Sequence, residues 1–395
     1  MTSLSYSIPY LLLFFLFLLL DWICSRGAGE REKAFARYSA VALYVIFFGF
    51  RGFIGADWNN YYPFYNELPS LFSGQFGTSD NLFEPGFVLF STICKTISSN
   101  YHFFILINAL VNVLLLDIFI RRHLNDRQYV LGIMIFLLMG GIINEIDLLR
   151  ASKAVLLFMI SIKYIQSRKL FKFLLINAIG LSFHSTTLLF LPLYFIVNRK
   201  FSIKPILLIW IIGNAIFLLQ VEYIKPVLTF LASIFGASYS LMLSMYLDSD
   251  VFNTAYGFSL GFIERTFSFV VLAFFHNRLY TQGIYSKIFI NIFYIFIFCN
   301  LIFGEFYILQ ARVGLMLSFT YMIIWPMVYR AVQKKLLRQT LSLVFGLYVI
   351  FKTISYTGSV IYRYDNVLTG IESFVDRSII YDASNMDILY EKRGE

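Results

Sequence analysis

Apolar runs of about 17–22 residues recur along the chain, and each is long enough to cross the hydrocarbon core of a membrane as a helix. The chain is 59% hydrophobic and only 14% charged, so a soluble protein of 395 residues could not bury its apolar surface. We therefore predict an all-α polytopic membrane protein of about 12 transmembrane helices. The predicted spans are 5–24, 38–54, 101–120, 129–146, 148–166, 171–184, 186–198, 205–220, 256–275, 287–304, 313–329 and 340–358.

Lys and Arg residues gather in six clusters between these spans. All six lie on one side of the membrane only if 171–198 is a tight hairpin and 84–97 is a short re-entrant or interfacial helix. Because cytoplasmic loops carry an excess of Lys and Arg, that side is predicted to be cytoplasmic, with both chain ends on the outer side. The net charge of +9 then reflects these loops and does not indicate a nucleic-acid partner. The clusters fall within 26–37, 121–127, 163–172, 199–204, 278–287 and 330–338.

This topology predicts a single transmembrane domain over 1–358, followed by an extracytoplasmic tail over 359–395. Two outer loops, about 55–100 and 221–255, are long enough to act as lids or binding loops. The first contains the run Asp57-Trp-Asn-Asn-Tyr61, whose aromatic and amide groups suit sugar binding, although an interfacial aromatic belt has the same composition.

The chain shows no pattern of metal ligands. Cys24, Cys94 and Cys299 have neither CxxC nor metal-site spacing, so we interpret them as small buried side chains. Asp248 and Asp250 have the spacing of a metal-binding pair but stand in the second loop with no further ligand in view.

Five basic side chains stand toward the outer ends of the predicted spans. A charge at bilayer depth costs roughly 2.5–3.5 kcal/mol even on a lenient insertion scale, so such residues usually face a protein interior or a wet cavity. Five at comparable depth predict one polar chamber that opens on the outer side. These residues are Arg51, Arg150, His184, Arg265 and Arg312.

Structural roles compete with functional ones at two of these positions. Arg150 could pair with Glu145 or Asp147, or it could present its planar fork to a phosphate group. His184, at the apex of the predicted hairpin, could be a capped polar residue, a phosphate ligand or a general base.

The other charged candidates leave the same choice open. Arg51 and Asp57 bracket a glycine-containing turn and could pair with each other or face a common ligand. Arg265 follows Glu264 directly, and adjacent residues on a helix do not face one another, so at least one of them needs a different partner. Arg265 and Arg312 could each form a structural ion pair instead of binding a ligand.

The order and spacing of these motifs resemble the EpsG/Wzy-type polysaccharide polymerase family over about residues 40–330. That resemblance implies a bacterial protein that joins oligosaccharide repeat units carried on undecaprenyl pyrophosphate. It also implies an all-helical, GT-C-like architecture with an outward-facing cavity. The matching motifs are Arg51-Gly-Phe-Ile-Gly-Ala-Asp57 with Tyr61-Tyr62, Glu84-Pro-Gly-Phe, Leu149-Arg150-Ala-Ser-Lys-Ala154, Phe183-His184-Ser185, and Arg312 before an apolar span.

The resemblance implies a site in which arginines hold the donor pyrophosphate and stabilise the charge that develops as it leaves. Either His184 or Asp57 would deprotonate the acceptor hydroxyl. The residues expected to act in catalysis are His184, Asp57 and Arg150, and those expected to bind substrate are Arg51, Tyr61, Glu84, Arg265 and Arg312.

The expected substrate is an undecaprenyl-pyrophosphate-linked oligosaccharide in the bacterial inner membrane, with the active site facing the periplasm or the exterior. No cofactor or metal is expected, and membrane lipid, a chain-length regulator and a flippase are the expected partners. The product could be O-antigen, capsule or exopolysaccharide. The alternatives are an O-antigen ligase, a lipid-linked oligosaccharide flippase or other transporter, and a membrane acyltransferase. A transporter is less favoured because the chain shows no repeated halves.

Overall fold

The computed structural model describes residues 2–26, 29–74, 83–227, 230, 258–305 and 307–393. Within these ranges the chain is helical, and its extended pairings are isolated bridges at Thr2, Arg51 and Asn366. The chain divides into two compact units, residues 1–194 together with 333–395, and residues 195–332.

The described helices are numbered here in chain order. They are α1 (Leu4–Arg26), α2 (Glu30–Tyr44), α3 (Trp58–Glu67), α4 (Pro85–Ile97), α5 (Tyr101–His123), α6 (Tyr129–Phe136), α7 (Ile142–Ile146), α8 (Leu149–Gln166), α9 (Leu170–Phe183), α10 (Leu193–Ile196), α11 (Ile203–Leu218), α12 (Leu260–Phe274), α13 (His276–Leu279), α14 (Ser286–Ile302), α15 (Tyr307–Leu317), α16 (Tyr321–Ala331), α17 (Lys335–Thr357) and α18 (Phe374–Arg393).

Six helical segments within the described ranges are long and apolar enough to cross a membrane. The prediction of an all-α, multi-pass membrane protein is therefore confirmed, while the total of 12 spans and the re-entrant role of 84–97 stay predictions. The six segments are Leu4–Arg26, Tyr101–His123, Asp126–Ile146, Ser286–Glu305, Gln310–Ala331 and Lys335–Thr357. Shorter apolar helices are Pro85–Ile97, Leu170–Phe183, Ser185–Ile196 and Ile203–Leu218.

The predicted span 129–146 contains a kink. After α6 the chain forms a π-helical turn over Leu137–Gly141, in which Gly140 has a φ of 128°. Glycine adopts this conformation at little cost, whereas a side chain would be strained there. Beyond the kink, Glu145 is 1% exposed and Asp147 is 9% exposed, so the redirected chain carries two carboxylates into the interior of the first unit.

The predicted hairpin within 171–198 is confirmed. Helix α9 ends at Phe183, the backbone of His184 is extended, and a 3-10 helix over Ser185–Phe190 returns alongside α9. A Cβ atom on Gly180 would lie 3.2 Å from the Thr187 hydroxyl, so the returning segment packs directly on the helix. His184 therefore stands at the apex, as predicted, and whether either arm crosses the membrane stays a prediction.

The helices of the first unit have two chemically different ends. At one end the Ser3 amide donates to the Gly358 carbonyl at 2.8 Å, so the start of α1 meets the end of α17. At the other end the Cys24 thiol donates to the Asp126 carbonyl at 3.2 Å. The predicted basic clusters that follow α1 and α5 share this second end, which we call the basic end. Since α1 has 23 residues, the two ends are roughly 30 Å apart.

Aromatic side chains on and around α3 form a buried core. Trp58, Tyr61 and Tyr65 on α3 are 2%, 3% and 0% exposed. Their rings pack on protein, which supports neither the predicted sugar stacking nor an interfacial belt for these three residues. The buried aromatic members of this cluster are Phe53, Trp58, Tyr61, Phe64, Tyr65, Phe87, Tyr101 and Phe104.

The described part of the tail after α17 packs onto the loop that precedes α3. The Gly52 amide donates to the Asp365 carbonyl at 3.1 Å, and the Gly55 amide donates to the Ile361 carbonyl at 2.9 Å. Farther along, Phe374 packs against the Trp58 ring with centroids 5.5 Å apart. The domain boundary predicted at 358 stays a prediction, but the described tail is an integral part of the first unit.

Arg377 anchors this tail from the inside. It is 2% exposed, and its Nε donates to the Phe53 carbonyl at 2.6 Å. The guanidinium also lies 3.1 Å from the Glu372 carboxylate and 3.8 Å from the Asp365 carboxylate. Removing such a buried cation would leave carboxylates without their counter-charge.

The second unit contains α11 to α16 and has its own internal ties. The Glu305 carboxylate accepts hydrogen bonds from the backbone amides of Tyr223, Ile224 and Lys225 at 3.0, 2.6 and 2.9 Å. These bonds hold the start of the second predicted outer loop. Most of that loop, 221–255, lies outside the described residues, and so do Asp248 and Asp250.

We expect Arg377→Met to destabilise the protein by about 3 kcal/mol, because it strips a buried ion pair of one partner. Arg363→Met is the matched control, since Arg363 pairs with Glu372 in the same tail but is 37% exposed. The control should cost about 1 kcal/mol or less. Thermal unfolding in detergent, with chymotrypsin cleavage of the tail, measures both. Equal losses of stability in Arg377→Met and Arg363→Met would contradict the anchoring role of Arg377.

Candidate active site

An ion pair between Arg150 and Glu84 forms the centre of the candidate site. Arg150 Nη1 lies 2.5 Å from Glu84 Oε2, and the two side chains are 22% and 21% exposed. The other carboxylate oxygen, Glu84 Oε1, accepts a hydrogen bond from the Ser185 amide at 3.1 Å. One carboxylate thus joins the start of α8 to the turn at His184. The alternative pairing of Arg150 with Glu145 or Asp147 was wrong, because the partner comes from a distant part of the chain.

Local sequence places Glu84 at the beginning of α4. Pro85 occupies the first turn of the helix, where its missing N–H costs no hydrogen bond. Glu84 itself is extended, with φ −65° and ψ 147°, and its charge suits the positive end of the helix dipole. A helix therefore begins within the predicted 84–97 segment, and its start directs the Glu84 carboxylate away from the helix toward Arg150.

Two aromatic residues orient the guanidinium of Arg150. Its Nε donates to the Tyr61 hydroxyl at 3.4 Å, and its central carbon lies 4.6 Å from the centre of the Phe83 ring. A cation over a ring face is attracted by the ring quadrupole. The structure therefore brings together Tyr61, Glu84, Arg150 and the His184 turn, all of which were predicted as site residues.

The protonation states follow from the surroundings. Burial raises the pKa of the Glu84 carboxyl, but hydrogen bonds and the Arg150 charge outweigh burial, so the net pKa lies below its ordinary value. Burial and the nearby Asp57 charge raise the pKa of Tyr61 to about 12. Near neutral pH the site therefore holds an ionised Glu84 and a neutral Tyr61.

His184 is held by the backbone that follows it. Its Nδ1 accepts a hydrogen bond from the Thr186 amide at 3.2 Å, and the Thr186 hydroxyl lies 2.7 Å from the same nitrogen. A backbone N–H can only donate, so Nδ1 must be the acceptor and Nε2 carries the proton of the neutral ring. In this tautomer Nε2 donates hydrogen bonds, which favours a role as phosphate ligand over the predicted role as general base.

Asp57 stands directly before α3 and four residues before Tyr61, so the two side chains lie close together on one face. The amides of Ala56 and Asp57 both donate to Asp147 Oδ1, at 2.6 and 3.3 Å. Asp57 is half-buried, and its charge acts on the neighbouring Tyr61. Because the proton of the neutral His184 ring is on Nε2 and its Nδ1 accepts the Thr186 amide, Asp57 remains the candidate base of the two.

Arg51 lies in the protein interior. It is 1% exposed, and its Nη2 donates to the carbonyls of Glu145 and Ile146 at 2.9 and 3.1 Å. These contacts include no ion pair between Arg51 and Asp57. Substrate contact by Arg51 stays a prediction. The observed contacts give Arg51 a structural role.

Arg265 and Arg312 belong to the second unit. Arg265 is half-buried on α12 beside Glu264, whose carboxylate accepts a hydrogen bond from the Ser268 hydroxyl at 3.0 Å. Arg312 is exposed on α15. The joint action of these arginines with Arg150 stays a prediction.

Two contributors to the site were not predicted from the sequence. Phe83 and Asp147 were not among the candidate residues, although Phe83 precedes Glu84 and Asp147 lies three residues before Arg150. Their positions beside recognised motif residues were the available signal. Cys24 and Cys94 are buried, as predicted, while Cys299 is half-buried. Among the described residues no group of three or more His, Cys, Asp or Glu side chains is arranged to hold a metal ion.

Comparison with known proteins gives one family match. The sequence model of the EpsG family matches residues 35–368, which is most of the chain and includes every predicted site residue. No curated protein and no solved structure matches the chain significantly.

The Glu84 ion pair predicts a pH-dependent stability. Because the folded-state pKa of Glu84 lies below its ordinary value of 4.5, the ionised carboxylate stabilises the folded protein above that pH. This stabilisation is lost as the pH falls through the folded-state pKa. Glu84→Gln should therefore lower the unfolding temperature near neutral pH, by an amount equivalent to about 1 kcal/mol, and the difference from wild type should narrow below about pH 4.

Glu67→Gln is the control for this measurement, because Glu67 is an exposed carboxylate at the end of α3. Thermal unfolding in detergent between neutral pH and pH 4 should show no comparable change for the control. If the difference in unfolding temperature between Glu84→Gln and wild type stayed constant or widened in acid, the ion pair would be contradicted.

Proposed function

The chain belongs to the EpsG family, and on that premise we propose that it polymerises a bacterial surface polysaccharide. The proposed donor and acceptor are oligosaccharide repeat units on undecaprenyl pyrophosphate, joined at the outer face of the inner membrane. Family membership and the apolar helices support a membrane protein of polysaccharide assembly. The donor lipid, the reaction and the orientation in the membrane are proposed in addition.

The observation that carries the proposal is the orientation of Arg150. Glu84 and Tyr61 engage Nη1 and Nε of its guanidinium, and the side chain keeps 22% of its surface exposed. A guanidinium has five N–H donors, so donors remain for a phosphate group without loss of the Glu84 pair. The fork is thus fixed before substrate binds, which is what stabilisation of a developing charge requires.

In the proposed reaction the bond between the donor's anomeric carbon and the pyrophosphate oxygen breaks. Undecaprenyl pyrophosphate leaves with the bonding electron pair, and Arg150 stabilises its added charge. The acceptor hydroxyl oxygen forms the new bond to the anomeric carbon, and its proton passes to Asp57. His184 donates from Nε2 to an oxygen of the phosphate, since its Nδ1 is engaged by the Thr186 amide.

The position of these residues supports an outward-facing site. Arg150, Glu84 and His184 lie at the end of the first unit opposite its basic end. Lys and Arg are retained on the cytoplasmic side in membrane proteins, which supports assigning the site to the other side. Lipid-linked repeat units that have crossed the membrane would meet the site there.

We expect Arg150→Ala to abolish polymer formation, because removing a preorganised donor to the leaving group costs about 10²–10³ in rate. Arg127→Ala, an exposed arginine at the basic end, is the matched control and should leave polymer length unchanged. The measurement is a gel of surface glycans from a deletion strain that carries each variant, with membrane insertion checked by immunoblot. Wild-type polymer from Arg150→Ala would refute the role of Arg150.

The deletion strain itself discriminates between functions. Loss of the long ladder, with a single repeat unit retained on its acceptor, is expected for a polymerase because export and ligation remain intact. Complete loss of repeat units would indicate a ligase or a flippase instead. An unchanged ladder would contradict the proposal for that polymer.

The base assignment predicts unequal effects at two positions. Asp57→Asn should lower the polymerisation rate by about 10²-fold or more, since it removes the proton acceptor. His184→Gln keeps an N–H donor near the position of Nε2 and should lose only about tenfold. Rates measured with purified protein and lipid-linked oligosaccharide test this order. The reverse order would return the role of base to His184.

A further inference from the structure

Asp147 is a junction between three parts of the first unit. It lies between α7 and α8 and is 9% exposed. Its Oδ1 accepts the amides of Ala56 and Asp57, and its Oδ2 accepts the Tyr362 hydroxyl at 2.9 Å. One carboxylate therefore connects the loop before α3, the start of α8 and the tail.

Glycine at position 55 allows the loop before α3 to approach Asp147 closely. Its φ is 85°, a conformation that favours glycine. A Cβ atom at this position would collide with Asp147 Oδ1 and with the Ile146 side chain. The loop can therefore approach the carboxylate closely enough for two amides to share one oxygen.

Contacts from α1 and from the loop before α3 hold Tyr362 in place. The Tyr362 carbonyl accepts the Tyr10 hydroxyl at 2.9 Å, and the neighbouring Ile361 carbonyl accepts the Gly55 amide at 2.9 Å. With its backbone fixed, Tyr362 directs its hydroxyl at Oδ2, which leaves Oδ1 facing the loop. Without the hydroxyl, the carboxylate could rotate away from the two amides.

We infer that Asp147 and Tyr362 are positioning residues, which hold Asp57 at a fixed place relative to Arg150. We call the hydrogen bonds of Asp147 to Ala56, Asp57 and Tyr362 the Asp147–Tyr362 tie. Because Asp147 lies three residues before Arg150, this tie fixes the proposed base and the Arg150 guanidinium relative to each other. The tail thereby becomes part of the active-site scaffold. The inference rests on the proposed function for its effect on catalysis, whereas the tie itself can be measured without any reaction.

The first test measures the tie by hydrogen–deuterium exchange on the full-length protein in lipid nanodiscs. Tyr362→Phe removes only the hydroxyl and should speed exchange of the Ala56 and Asp57 amides by about tenfold. Tyr364→Phe is the matched control, because the Tyr364 hydroxyl donates to the Phe47 carbonyl at 2.9 Å in the same segment. Unchanged protection in Tyr362→Phe, or equal loss in both variants, would overturn the inference.

The second test asks whether the tie acts through Asp57. With purified protein and lipid-linked oligosaccharide, Tyr362→Phe should lower kcat about tenfold, leave KM for the donor unchanged, and lose this effect in the Asp57→Asn background. Tyr364→Phe should remain within about twofold of wild type. An equal effect of Tyr362→Phe in both backgrounds would mean a general loss of structure and would overturn the positioning role.

The two tests separate the inference from the proposed function. If wild-type protein forms no polymer while the exchange result holds, the proposed function fails and the Asp147–Tyr362 tie stands. If wild type is active but Tyr362→Phe matches Tyr364→Phe in exchange and in rate, the inference fails and the proposed function stands.

Discussion

Charged groups inside the first unit need polar partners, and this requirement determines which helices come together around the site. Arg51 donates to the backbone after the α6 kink, including the carbonyl of Glu145. Asn112 on α5 donates to the Glu145 carboxylate at 3.0 Å, and Lys153 on α8 donates to Asn108 on α5. In a medium of low dielectric an unpaired charge would cost several kcal/mol, so these contacts fix α5, α7 and α8 relative to the loop at Arg51.

Burial differs between two cations on the same helix. Arg150 and Lys153 lie three residues apart on α8, yet the Lys153 residue is 1% exposed whereas the Arg150 side chain is 22% exposed. Lys153 points toward Asn108 and the Phe90 ring, within the packed helices. Arg150 is fixed by Glu84 at the accessible end. The same chemical type thus stabilises the fold at one position and is available to a ligand one helical turn away.

The sequence predicted the local features of the site more reliably than its contacts. The helix over 84–97 and the apex at His184 followed from the positions of the apolar runs and basic clusters along the chain, which can be located without knowing how the helices pack. The partner of Arg150 could not be predicted in this way, because Glu84 lies 66 positions away and nearer carboxylates were available. Tyr61 was predicted from its motif, but its burial depends on packing among α3, α4 and α5.

By itself the sequence determined that this chain is an all-helical, multi-pass membrane protein, because the length of an apolar run is a local property that the bilayer imposes directly. It also indicated the EpsG family, whose sequence model matches residues 35–368. Only the tertiary structure decided that Arg51 is buried, that Arg150 pairs with Glu84, and that the tail reaches Asp147 through Tyr362. These contacts join residues from 66 to 215 positions apart, so they depend on how helices pack and not on any local pattern.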